Sequence, residues 1–151
     1  MSAMILLSSL LCFHFFNPDV SQINHQERLP PVKDAQNRLL EEAQSIDANY
    51  FTLTIHPEMI FPSSHEEGQF HIANVQSNVY PIAVSIQLAE TTEEVYHSGA
   101  IYPGQEVRTG RLTVELAKGE YLAIAVVTLY DPETKDKTAI TQAEVLLIIE
   151  N

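Results

Sequence analysis

An all-β fold, an antiparallel sandwich of about seven short strands, is what this chain predicts, and three observations predict it. From Tyr50 to the end, apolar and polar residues alternate with a period of two, the spacing of a strand that buries one face. Turn formers punctuate the alternation at Pro57, Pro62 to Gly68, Pro103-Gly104, Lys118-Gly119 and Asp131-Pro132. No stretch beyond Tyr50 spaces its apolar residues as a helix does. A closed barrel of the same strands is the runner-up architecture.

Length and charge narrow the rest. A chain of 151 residues holds one domain with a sizeable core and a short segment besides. Eight basic residues against 20 acidic ones give a net charge of -12, which repels phosphate backbones and anionic lipid headgroups, so nucleic acid is excluded as a partner. Cys12 is the single cysteine, and it sits in an apolar leader. No disulfide framework or cysteine zinc site follows from it, and the fold must stand on packing.

Taken in order, Met1 to Phe16 is apolar and carries no charged residue, which reads as a signal or anchor segment, residues 1–16. It lacks a small-x-small cleavage motif, so an uncleaved anchor is expected over a cleaved leader, with the domain outside the cytoplasm. A helical span takes about 20 apolar residues, so bilayer thinning or an upstream start is expected to complete it. Lipidation of Cys12 is disfavoured by Leu11, where a small residue is needed. The remaining alternative is an apolar segment packed into the domain itself.

Residues 17–49 read as a tether. Asn17 to Pro31 is polar and aperiodic, and Pro30-Pro31 stiffens it. Asp34 is then placed to cap a short amphipathic helix carrying Ala35, Leu39, Leu40, Ala43 and Ile46. Residues 50–151 form the sandwich domain. Phe51 to Ile55 is the first strand, near an edge because Pro57 closes it. Phe70, Ile72 and Val75 mark the second, and Ile82, Val84, Ile86 and Leu88 the third. An acidic tip at Glu90 to Glu94 leads to Val95-Tyr96-His97. Leu112, Val114 and Leu116 are the next strand, and Ala143 to Ile149 the last. Between those two lies the strand that organises the rest, Tyr121 to Tyr130, too apolar on both faces for a sheet edge.

The run Leu116-x-x-Gly119-x-Tyr121 before that strand resembles the tyrosine corner of immunoglobulin-like and fibronectin type III-like domains. Phe70-x-Ile72-x-Asn74, Asn78-x-Tyr80-Pro81, Ser98-Gly99, Pro103-Gly104 and Tyr130-Asp131-Pro132-Glu133-Thr134 extend the likeness. Together they are similar to small immunoglobulin-like domains of secreted or membrane-anchored proteins of Gram-positive bacteria. The resemblance spans Tyr50 to Glu150. It implies a sandwich in which the Tyr121 hydroxyl bonds back to the preceding turn and Gly119 supplies the turn geometry. The chain departs from antibody-type domains in having no Trp and no paired cysteines. A fold of this kind dictates no activity.

Candidate chemical groups are few. His56, His65, His71 and His97 are metal-ligand types, but their spacing on separate strands and loops does not predict convergence. Glu66-Glu67 and Glu93-Glu94 lie in loops, which bury no carboxyl for acid-base work and lack the alternation of a calcium loop. No nucleophile elbow is present, so no catalytic residue, cofactor or metal is expected. One feature goes beyond a solvated surface. If Ala123, Ala125, Val127 and Leu129 face inward, then Leu122, Ile124, Val126, Leu146 and Ile148 form an outward apolar patch, the mark of a contact surface. The expectation is a non-catalytic, membrane-tethered extracytoplasmic module that binds a protein partner or a second copy, or serves as a structural part of a cell-surface assembly. A carbohydrate- or cell-wall-binding module is the alternative, and the scarcity of exposed aromatics counts against it.

Overall fold

The computed structural model describes residues 10–14, 27–38 and 50–151. Among them the regular elements are all strands: β1 Leu10–His14, β2 Gln36–Asn37, β3 Tyr50–Ile55, β4 Glu58–Phe61, β5 Gly68–Asn74, β6 Ile82–Leu88, β7 Glu94–Ile101, β8 Gln105–Gly110, β9 Gly119–Tyr130 and β10 Lys137–Ile149. They hydrogen-bond as one curled, mixed sheet in the order β1-β3-β5-β4-β10-β9-β6-β7, while β8 pairs with β5 and β2 with β8. The all-β expectation stands, and the purely antiparallel one does not.

The departure has a local cause. Pro57 has no N–H to continue a ladder, so the chain turns there and leaves β5. Beyond it β4 runs parallel to β10, with Glu58 to Phe61 beside Leu146 to Ile149, and keeps a single pair with β5, Ile60 with Gln69. Leu146 N–H donates to the Pro57 carbonyl at 2.7 Å and Glu150 N–H to that of Phe61 at 3.0 Å, so both ends of the parallel pair are tied. A three-residue apolar run, Met59-Ile60-Phe61, is too short to announce itself as a strand.

The inner face of the curl is a continuous apolar core. Leu53, Phe61, Ile72, Ile82, Ile86 and Leu147 are fully buried in it. At one end Phe70 meets Tyr96 edge-on at 5.0 Å and Phe61 at 6.0 Å. Two glycines make that cluster fit. Gly68 and Gly110 are cross-strand partners in β5 and β8. A Cβ on Gly68 would lie 2.3 Å from the Phe61 ring, and one on Gly110 would lie 2.7 Å from Tyr96 and 2.9 Å from Phe70.

β9 lies between β10 and β6, as its apolar composition requires. The strand expected at Leu112, Val114 and Leu116 is absent. Residues 111–118 are irregular, and those three side chains are partly buried against the core. The strand lies earlier, in β8, whose sequence Gln105 to Gly110 has one apolar residue, Val107, and so carries no visible alternation.

Residues 27–38, expected in a free tether, are part of the fold. Lys137 N–H donates to the Glu27 carbonyl, Leu29 N–H to Lys135, Ala100 N–H to Pro31 and Arg38 N–H to Gly104, at 2.9 to 3.0 Å. This strap runs from the β9–β10 loop past β7 to β8 and bridges two strands that lie at different edges of the sheet. The helix expected from Asp34 does not begin there, because Gln36–Asn37 is strand and pairs with Glu106 and Gln105. Its remaining positions, Leu39 to Ile46, lie outside the described residues. So do Met1 to Ser9 of the expected anchor, whereas Leu10–His14 pairs antiparallel with β3.

Candidate functional site

Alternation along β9 separates its faces cleanly. Ala123, Ala125, Val127 and Leu129 are buried, while Leu122 is 56% exposed and Ile124 and Val126 are half-buried on the opposite face. Register then places the neighbours. Leu122 pairs with Leu146, Ile124 with Glu144, Val126 with Gln142 and Glu120 with Ile148. On the other flank Ile124 meets Gln87 and Val126 meets Ser85.

The five residues of the expected patch therefore share one face but not one environment. Leu122, Leu146 and Ile148, with Ile60 of β4 beside Ile148, form an apolar end. Ile124 and Val126 are interleaved with polar partners. At the far end of the same face Thr128 and Tyr130 are buried. There a hollow of about 240 Å³ is lined by Glu27 of the strap, Ser85, His97, Tyr130, Lys137 and Ile140. Burial, and then the Glu27 carboxylate, push the Tyr130 phenol up to about 12. Glu94 accepts a short bond of 2.5 Å from the Ser85 hydroxyl at the hollow's edge.

A second cluster centres on Glu106 of β8. Its carboxylate is almost wholly buried and takes 2.7 Å bonds from His71 Nε2 and Arg108 Nε, with Arg38 Nε at 3.4 Å. Burial alone would raise its pKa. The bonds from His71 and Arg108, and their charges, outweigh that and hold it below the ordinary carboxylate value. Held ionised in this way, the carboxylate ties together the strap, β5 and β8, from which Arg38, His71 and Arg108 reach it. Beside it, His56, Glu58, Ile60, Phe70, His71 and Arg108 line an open groove of about 400 Å³.

Of the four candidate histidines, His56 and His71 share that groove, while His65 and His97 lie apart from it. His71 bonds Glu106, His65 lies 3.3 Å from Glu115, the His97 ring accepts from Gly99 N–H, and the His56 ring contacts the Glu58 backbone. Among the described residues no three His, Cys, Asp or Glu side chains converge as a metal site would need. Gly119 has φ +153°, and the Tyr121 hydroxyl donates to the Ala117 carbonyl at 2.7 Å from a half-buried position.

The anchoring roles of Asp34, Asn74, Asn78 and Glu106 were not legible in the sequence. Asp34, expected as a helix cap, accepts a 2.8 Å bond from the buried Tyr96 hydroxyl. Asn74 donates to the carbonyls of Tyr80 and Ile101, and Asn78 takes the Thr52 N–H and donates to the Thr52 carbonyl. A signal for both Asn residues was present, since Asn74 interrupts an apolar run and the two bracket a turn. Glu106 gave none, as its partners come from distant segments. No family model, curated protein or solved structure matches the chain.

Proposed function

We propose that this chain is a non-catalytic module of immunoglobulin-like kind, tethered outside the cytoplasm of a Gram-positive cell by its N-terminal segment, and that it binds a protein partner. The two-layer reading draws support from the β4–β5 contact, where Ile60 with Gln69 is the one strand-ladder pair among the described residues that joins β4-β10-β9-β6-β7 to β1-β3-β5-β8-β2. The observation that carries the partner reading is the apolar end of the β9–β10 outer face. Leu122, beside Leu146, is 56% exposed, the most exposed large apolar side chain among the described residues, ahead of Ile140 and Val32.

The experiment is a capture from surface extracts with the full chain as bait. Leu122→Lys should abolish recovery of a specific protein while leaving the thermal midpoint within about 2 °C, since exposed substitutions cost little. Unchanged recovery removes this face from the reading. For location, protease added to intact cells should shave the domain; full protection, with the chain in the cytosolic fraction, removes the tether.

A further inference from the structure

Edge strands that must stay single are blunted by charge, proline or a bulge. β3 has none of these. Its sequence Tyr-Phe-Thr-Leu-Thr-Ile is uncharged, and no register shift interrupts its pairing with β1 or β5. One side of its backbone is committed: Thr52 N–H and C=O both bond the Asn78 side chain, and His56 N–H bonds His71 O. Alternation turns the groups of Phe51 and Leu53 to the other side. That side is where Leu10–His14 lies, Leu11 opposite Leu53 and Phe13 opposite Phe51. The same residues fall within the segment read as the membrane tether, and a backbone paired to β3 cannot also lie in a bilayer.

We propose that the outer edge of β3 is a strand-accepting site for an extended, uncharged partner segment with apolar residues at alternate positions. Leu10–His14 occupies the site in membrane-free chain and vacates it when the tether inserts. The pattern Leu-Leu-Cys-Phe-His is the template for what the edge accepts, with backbone bonds giving affinity and the positions opposite Phe51 and Leu53 giving selectivity. The vacating step rests on the tether reading; the edge itself does not.

The lone cysteine makes the test direct. Cys12 is opposite Thr52, a pair whose backbone bonds point away from each other, where Cα atoms lie about 4.5 Å apart and a disulfide closes readily. Full-length Thr52→Cys, oxidised by glutathione disulfide in membrane-free buffer, should become a monomer with no free thiol. Two free thiols per chain overturn the edge reading. In phosphatidylcholine vesicles the membrane-bound fraction should keep both thiols free, and equal closure there overturns the exchange. Vesicle-bound Cys12→Ser, Thr52→Cys should capture a synthetic peptide of residues 9–15 as a mixed disulfide. Aspartate at positions 11 and 13 of that peptide should cut capture about tenfold, the effect of about 1.4 kcal/mol; equal capture overturns the selectivity. Should Thr52→Cys fail to fold, Leu10→Cys with Thr54→Cys on Cys12→Ser repeats the test at the next such pair. The cross-link in buffer is independent of cellular location, so its failure and a failure of surface shaving are separate results.

Discussion

At Glu106 one carboxylate answers for Arg38, His71 and Arg108, which reach it from the strap, β5 and β8. Replacing it with Gln leaves three cationic or donor groups around a neutral amide. Because Arg108 and, in part, His71 remain open to water, the loss should be about 1–2 kcal/mol rather than that of a sealed pair, read as a lower urea midpoint. The pH dependence has a definite sign. The folded pKa lies below the ordinary 4.5, so the stabilisation is complete above that value and is lost as pH falls below it through the folded pKa. Wild-type and Glu106→Gln midpoints should therefore converge in acid, and parallel curves would sink the assignment. Tyr121→Phe tests a different bond. Its hydroxyl lies near water, so about 0.5–1 kcal/mol should be lost, with no change in the urea m-value.

Among the elements, the paired glycines of β5 and β8 give the sharpest expectation. Gly110→Ala places a methyl against Tyr96 and Phe70, both rigid rings, and should cost about 1–3 kcal/mol by overpacking. Thermal melts of Gly110→Ala that match wild type would show that the rings can move aside. Element by element, legibility followed the periodicity. β3, β5, β6, β9 and β10 each repeat apolar residues two apart, and the Ala-Ala-Val-Leu side of β9 proved to be the inward one. β8 has only Val107 to mark it, and β4 is four residues long. The alternation at Leu112, Val114 and Leu116 was real, but it marks an irregular segment leaning on the core. Of the sites, the outward positions on β9 and β10 were readable for the same reason. Glu106 was not, since His71 stands 35 positions away and the strap lies earlier still.

For the molecule as a whole, the strap is the closure. Two tyrosines hold it, Tyr96 through Asp34 and Tyr130 beside Glu27. Burial first, and then these carboxylates, raise both phenols above their ordinary 10.0, Tyr130 to about 12. The stabilisation of the neutral phenols is thus complete below pH 10 and is lost as pH rises through the folded values. Protease cleavage within residues 27–38 should rise in alkali above pH 10, and Tyr96→Phe, which has no phenol to ionise, should raise cleavage below pH 10 and flatten the rise in alkali. Cleavage that ignores pH would mean that other contacts hold the strap.

The parallel alignment of β4 with β10 also decides how the molecule meets a mechanical load. Handles at Glu58 and Asn151 would pull the start of β4 against the end of its parallel neighbour β10. Force along that line shears the bonds between Glu58–Phe61 and Leu146–Ile149 together, where a hairpin pulled from its open end would unzip bond by bond. Pulled along that line, the parallel pair resists tension as a lap joint does.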